Sequence, residues 1–531
     1  MRCLAATLLA WFAAVQSVPF EDRSARSGLN FVLENAATAE KHQIETMVGG
    51  VAVIDFDNDG LPDLFFTNGA AQPGLEKSSG KFCNRLYRNL GGFRFEDVTE
   101  RAGLCGVGYS MGVAAADFDN DGFTDLYVTG VKRNVLYRNR GDGTFQAVVT
   151  HDTQWSVAAG WFDYDNDGHL DLFVVNYVHW DPAKEPFCGT SYCHPRLYEG
   201  LANTLYRNNG DGTFTDVSVK SGIGKHIGKG MGVAFADYDG DGRMDVFVAN
   251  DTTPNFLFHN EGDGTFTEVG FPAGVAMNDD GRALSSMGVD FREMNGGQPS
   301  LFITALANET FPLYRNLGKG QFEDATYSSG IGASTMPLSG WGAGIYDFDN
   351  DGHTDLFASC GDVQDNTEKY SSRQSRQTNL LMLADAFGKF RGVPVPGAAA
   401  RHRGVAFADF DRDGRVDAVV TRIGEKPVLL RNLLGAGNHW LTVKLRGTKS
   451  NRDGIGARVR VVTKDGEQWN HVTTSVGYAS SSEVGVHFGL GAVGKVERVE
   501  VLWPSGVKQV VEGPQVDREL RVAERDGHVQ F

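Results

Sequence analysis

Short apolar runs, separated by polar stretches dense in Asp and Gly, recur along most of this chain. Gly50-Val51-Ala52-Val53-Ile54 and Gly232-Val233-Ala234-Phe235-Ala236 each open a unit. A polar loop follows, then a second run such as Leu64-Phe65-Phe66, Leu126-Tyr127-Val128, Leu172-Phe173-Val174, Val246-Phe247-Val248 or Leu356-Phe357-Ala358. Runs of this length, rich in Val and aromatics and bounded by Gly and Asp, are strands. A third strand and a hairpin come next, clearest in Asn203-Thr204-Leu205-Tyr206-Arg207-Asn208, Gly210-Asp211-Gly212 and Thr213-Phe214-Thr215-Asp216-Val217. They return at 134–145, 255–266 and, more loosely, 84–95. An Asp-Gly turn between alternating strands signals a hairpin. Each unit therefore predicts four strands, and no stretch carries a helical period.

The polar loop is Asp-x-Asp-x-Asp-Gly-x-x-Asp, present in six complete copies. The aspartates are Asp55, Asp57, Asp59 and Asp63; Asp117, Asp119, Asp121 and Asp125; Asp163, Asp165, Asp167 and Asp171; Asp237, Asp239, Asp241 and Asp245; Asp347, Asp349, Asp351 and Asp355; and Asp409, Asp411, Asp413 and Asp417. Four carboxylates in nine residues repel one another unless a hard cation neutralises them. Calcium accepts six to eight oxygens in flexible geometry, whereas magnesium keeps its waters, so calcium at about six sites is expected. The seventh loop position supplies its backbone carbonyl, at Leu61, Phe123, His169, Arg243, His353 and Arg415. Side chains there, His169 and His353 included, are expected to be solvated. Turn formation alone explains a Gly and one Asp. It does not explain four aspartates every time. An EF-hand is excluded because these loops join strands.

Between Asp237 and Asp347 lies an eroded repeat. Met287-Gly288-Val289, Leu301-Phe302-Ile303 and Leu313-Tyr314-Arg315-Asn316 match the strands of its neighbours. Its loop has Glu293 and Asn295 for Asp, and Gly297 in the third acidic position, so weak or no calcium binding is expected. With it there are seven repeats, at intervals of 62, 46, 74, 56, 54 and 62 residues. Seven stacked four-stranded units read as an all-β, seven-bladed β-propeller. The last repeat lacks a fourth strand after Val428-Leu429-Leu430-Arg431-Asn432, and an open edge is a liability. The strand near Phe31 is expected to cover it.

From about Asn438 the loops stop and alternating strands continue, including Trp440-Leu441-Thr442-Val443-Lys444-Leu445 and Val496-Glu497-Arg498-Val499-Glu500-Val501. The expected division is a signal peptide at 1–17, a propeller at 18–436 and a small β domain at 437–524. The leader reads as Arg2, an apolar run from Leu4 to Val15 and small residues before a cut. That run is too short to span a bilayer, and no later one is longer. The destination is exported: secreted, periplasmic or cell-surface. In that setting Cys188 with Cys193 and Cys83 with Cys105 are expected as disulfides, leaving Cys360.

The net charge of −17 argues against nucleic acid as a partner. Without Arg2 it is −18, and six calcium ions carrying +12 would leave −6, so the acidity belongs largely to the loops.

The repeated strand, Asp loop and strand resemble the FG-GAP/VCBS repeats of integrin-α-like propellers. Asn438-His439-Trp440-Leu441, Ile455-Gly456-Ala457-Arg458-Val459, His487-Phe488-Gly489-Leu490-Gly491 and Trp503-Pro504-Ser505-Gly506 resemble the ASPIC/UnbV domain. Together they are similar to the cartilage acidic protein family, including its bacterial members. The resemblance covers nearly the whole mature chain. It implies a secreted, calcium-binding, seven-bladed propeller, with the aspartates of the six complete loops as ligands, and no defined activity.

Catalytic signatures do not hold. Gly108-Tyr109-Ser110-Met111-Gly112 matches a nucleophile elbow but leads into a strand rather than a helix. Gly489-Leu490-Gly491-Ala492-Val493-Gly494 matches a dinucleotide fingerprint but also precedes a strand. The insertion from Asn176 to Asn203 carries Tyr177, Trp180, Phe187, Tyr192 and Tyr198 and reads either as a disulfide-stapled cap or as a binding loop. A second, polar insertion runs from Cys360 to Asn379. His179, Trp180 and His194, in the first insertion, are the best candidates for a site. No catalytic residue and no organic cofactor is assigned. The leading reading is a binding, adhesion or scaffold module whose partner is an extracellular glycan, matrix component or protein. The alternative is a polysaccharide lyase or hydrolase on the same scaffold.

Overall fold

Apolar residues are interspersed with Gly and Ala along the opening strands Tyr109–Ala116, Gly230–Ala236, Gly340–Tyr346 and His402–Ala408, and this lets the strands pair in sheets while packing closely side by side. The computed structural model describes residues 18–294, 297–525 and 527–529. The leader at 1–17 and Asn295 lie outside the described residues. The protein is all-β, and its α-helices are single turns such as Thr99–Ala102 and Ile331–Thr335.

Antiparallel four-stranded sheets form from Val51–Ile54, Asp63–Phe66, Arg85–Asn89 and Phe95–Asp97, and again from Gly230–Ala236, Asp245–Asn250, Phe256–Asn260 and Phe266–Glu268. Two more open with Val289–Met294 and Gly340–Tyr346. Repeats two and three share one six-stranded sheet, because Asp125–Asn139 and Phe145–Phe162 each run through what the sequence reads as two strands. The opening strands lie side by side in chain order, and His402–Ala408 of the last repeat packs against Val51–Ile54 of the first. Glycine is required at these contacts. A Cβ on Gly288 would stand 2.0 Å from the Trp341 carbonyl oxygen.

The edge of the last repeat is covered, but not by the segment expected. Phe20–Asp22 pairs antiparallel with it, Phe20 opposite Asn432 and Asp22 opposite Leu430. Phe31 is instead buried against the first repeat, stacked 5.0 Å from Phe66. Nearby, Leu33 makes a single bridge to Ile423. Phe20 can serve as the strand anchor because its ring fits edge-on against Phe348 and Phe357, both at 6.0 Å.

The C-terminal strands form a three-stranded sheet containing His439–Arg446 and a five-stranded sheet containing Arg458–Thr463. Between them the segment 473–483 leaves its own sheets and runs among the opening strands of the repeats. Ser481 exchanges backbone bonds with Val51 and Val53, both 2.9 Å. The Val113 amide donates to the Ala479 carbonyl at 3.1 Å, and Gly477 exchanges bonds with Val289 at 2.9 and 3.1 Å. Thr474 and Ser475 hydroxyls donate to the carbonyls of Ala115 and Val233 at 3.0 and 2.9 Å, and the Glu483 amide donates to Phe407 at 3.0 Å. Tyr478 sits edge-on to Trp341 at 5.0 Å and donates to the Met47 carbonyl at 2.7 Å. Its Thr, Ser, Gly and Ala residues have no bulk to hold the strands apart, so the segment fills the space they enclose.

At the end of the strands away from the Asp loops, three connections meet. Tyr192 and Gln364 exchange bonds of 2.8 and 3.0 Å, Asn366 donates to the Thr190 carbonyl at 2.7 Å, and the Tyr192 hydroxyl donates to Glu45 at 3.1 Å. Tyr177, Trp180, Tyr192 and Tyr198 are buried beneath them, while Phe187 is 82% exposed. Disulfides join Cys83 to Cys105 and Cys188 to Cys193, and Cys360 is free and buried. The Cys188 insertion is thus a cap.

Candidate metal centre

Each complete loop folds because its aspartates cap its own backbone. The first aspartate accepts from the glycine amide, as Asp117 does from Gly122 at 2.7 Å and Asp347 from Gly352 at 2.8 Å. The fifth-position aspartate accepts from the seventh amide, as Asp59 does from Leu61 at 2.9 Å, Asp121 from Phe123 at 3.0 Å and Asp413 from Arg415 at 3.1 Å. The ninth braces loop to sheet. Asp63 accepts from the Phe56 and Asn89 amides at 3.1 and 2.7 Å, and Asp125, Asp171, Asp245, Asp355 and Asp417 accept at the same two positions.

These turns bring the first, third and ninth carboxylates together. Oxygens of Asp55, Asp57 and Asp63 lie within 4.8 Å of one another, as do those of Asp117, Asp119 and Asp125 and of Asp163, Asp165 and Asp171. The fourth loop differs: its first, third and fifth carboxylates, Asp237, Asp239 and Asp241, form one group, and Asp239 and Asp245 form another with His259. Buried Oδ1 atoms of Asp55, Asp57, Asp349 and Asp411 meet no hydrogen-bond donor. A buried anionic oxygen without a donor needs a cation, and an all-carboxylate and carbonyl set suits calcium. Burial, with the neighbouring carboxylates, pushes Asp63 up to about 8 and Asp125 up to about 9, against about 4 for a solvated carboxyl. The residues present therefore fit the ion.

Two recurring side chains that the sequence reading took only as strand residues complete the loop. Arg88 reaches Asp57 and Asp59 at 2.7 and 3.0 Å, Arg138 reaches Asp119 and Asp121 at 2.6 and 3.1 Å, and Arg207 reaches Asp165 and Asp167, both at 2.9 Å. Arg431 does the same for Asp411 and Asp413. The asparagine that follows ties each repeat to the loop before it. Asn139 donates to the Phe56 carbonyl at 2.8 Å, Asn208 to Phe118 at 2.9 Å, Asn260 to Tyr164 at 2.8 Å, Asn432 to Phe348 at 2.7 Å and Asn89 to Phe410 at 3.4 Å. The signal was the repeated Leu-Tyr-Arg-Asn. In repeat six the same position is Ala384, and the loop it would reach is the eroded one.

There, Val289–Met294 and Gln298–Ile303 pair directly, so the nine-residue loop is gone. Ser300 takes the ninth aspartate's place and accepts from the Asn316 amide at 3.3 Å. Glu293 is buried, 2.7 Å from His471 Nδ1 and 3.6 Å from Arg458. Burial alone would raise its carboxyl, but His471 and Arg458 more than offset this and hold it low.

The seventh-position side chains depart from expectation. Half-buried His169 lies over the Gly210 turn, Phe123 over Gly141 and Arg243 over Gly262, so they pack on the hairpin of their own repeat instead of only meeting solvent. His353 lines a cleft with Trp469. In the cap, Trp180 is buried while His179 and His194 are exposed. Ser110 is buried within the strand Tyr109–Ala116, and Gly489 packs against the Asp347 carboxylate.

Residues 55–128, 117–174, 198–248 and 237–292 match the FG-GAP-like repeat, and residues 447–529 match the family described as ASPIC and UnbV. The chain therefore carries FG-GAP-like repeats followed by an ASPIC and UnbV domain. Among named relatives it is 29% identical over 307 residues to human cartilage acidic protein 1, a match covering 55% of this chain and 43% of the human protein. The mouse protein of that name is 25% identical over 501 residues, covering 86% of this chain and 70% of the relative. A solved lectin from Agrocybe aegerita, recognising terminal N-acetylglucosamine, aligns with 16% identity over 72% of this chain and 87% of its own at a TM-score of 0.38. A likeness that slight bears on neither ligand nor activity.

Proposed function

We propose that the chain is an exported seven-bladed β-propeller, held by six calcium ions, that serves as an extracellular binding or scaffold module for a glycan, matrix component or protein. The observation that carries this is that the Asp loops face the C-terminal domain. The Asp117 amide donates to Asp453 at 2.9 Å, and the Asn350 carbonyl accepts from Gly491 at 2.8 Å. Arg412 in the last loop pairs with Glu483 at 2.7 Å. Loops held in this way tie the repeats to the C-terminal domain, which supports a structural role for the metal. Seven sets of opening strands in a side-by-side series, with Phe20–Asp22 sealing the last sheet, support seven blades and a closed ring. The two disulfides support export.

With the Asp loops engaged by the C-terminal domain, the cap and the outer strands are the surfaces proposed to meet a partner. The charged cluster of Glu483, Arg412, Lys444 and Glu519 pairs within itself, which supports a structural role over catalysis. The test is a screen of glycans and matrix proteins with and without calcium. Capture that disappears on chelation is expected. Turnover of a polysaccharide, or capture indifferent to calcium, contradicts the reading.

A further inference from the structure

The fourth residue of one loop reaches the sixth of the next. Asn58 Nδ2 donates to the Gly122 carbonyl at 2.9 Å, Asn120 to Gly168 at 3.1 Å, Asn166 to Gly242 at 3.4 Å and Asn350 to Gly414 at 2.9 Å. Arg412 Nε continues the series to the Gly60 carbonyl at 3.2 Å. All five donors sit in the left-handed region, at φ between 54° and 59°, which Asn tolerates better than most residues. Followed in space, the loops beginning at Asp347, Asp409, Asp55, Asp117, Asp163 and Asp237 form one unbroken file. It stops where it must. The fourth residue of the Asp237 loop is Gly240, with no side chain to donate, and the next repeat has lost its loop.

We propose that the six loops take calcium cooperatively, each filled loop readying its neighbours through these bonds; this rests on the calcium reading above. The third, fifth and seventh positions supply ligands, and the donor and acceptor of the loop-to-loop bond are the residues between them. A cation that fixes the ligands fixes the fourth side chain and the sixth carbonyl at the same time. The neighbouring loop then meets an ordered partner and loses less conformational freedom when it fills. Coupling of this kind is reciprocal, so help passes along the file in both directions. The end loops, at Asp347 and Asp237, have one neighbour each and gain least.

The test is calorimetric titration of calcium into the calcium-depleted full-length protein, with hydrogen exchange of the loop amides followed in parallel. Six equivalents are expected to bind with a Hill coefficient above 1. Asn58→Gly keeps the left-handed backbone, as Gly240 does naturally, and removes the amide but no ligand. It is expected to bind six equivalents with the Hill coefficient moved toward 1, and to slow exchange at the Asp55 and Asp117 loops in two steps instead of one. Asn166→Gly, at another exposed loop position, repeats the measurement at a second junction. Six equivalents binding independently, with both variants matching the parent, overturn the coupling alone. No calcium bound overturns the calcium reading and the coupling with it.

Discussion

Glu293 and His471 meet at 2.7 Å in the one repeat whose metal loop is missing. The other ring nitrogen of His471 lies 2.9 Å from the Phe235 carbonyl. A carbonyl and a carboxylate both accept, so each ring nitrogen faces an acceptor. With Arg458 at 3.6 Å, the C-terminal domain brings positive charge to the carboxylate that replaces a first-position aspartate. Removing one member of a buried pair strands the other. His471→Leu is expected to lower stability by about 3–5 kcal/mol. Adding Glu293→Gln to it should recover much of that loss. Denaturant unfolding of the two single variants and the double variant measures the coupling, and additive losses would contradict it.

The segment 473–483 bonds to the opening strands of several repeats, so the repeats and the C-terminal domain should unfold together. Scanning calorimetry is expected to give one transition. Tyr478→Ala removes a fully buried ring and its bond to Met47, and should lower that single transition by an amount corresponding to about 3–5 kcal/mol. Two separate transitions, with only the smaller one moved, would contradict this.

The alternation of apolar runs and the recurrence of the Asp loop made the strands and the repeats legible, because each depends on neighbours in sequence. Asn58, Asn120, Asn139 and Asn208 were equally visible as repeated letters. Their meaning was not, since each bonds to another repeat, as Asn139 does to Phe56. The same holds for Phe20, whose role needs Phe348 and Phe357 from the far end of the chain. The stretch from Thr473 to Glu483 is mostly small and polar. Nothing local marks it as the filling of the space between the strands.

Acid should weaken the protein through His402. Burial pushes its imidazole down to about 4, its Nδ1 facing the Cys360 carbonyl at 2.8 Å. An unfolded histidine titrates near about 6.5. Between these values the unfolded chain takes up a proton that the folded chain refuses, so stability is full above about 6.5 and falls as pH drops toward about 4. The loss attributable to this group is up to about 3 kcal/mol. Unfolding of the parent and of His402→Asn at pH 7 and pH 4.5 should show a smaller acid loss in the variant. Equal losses would contradict the assignment.

The central claim is that calcium in the Asp loops holds the fold. Each site kept at about a hundred times its Kd contributes about 2.7 kcal/mol to the native state. The direct measurement is the melting temperature of the full-length protein before and after chelation, with bound calcium counted in the same samples. Close to six equivalents before chelation, and a large fall in Tm once they are gone, are expected. An unchanged Tm with the loops shown to be empty would contradict the account.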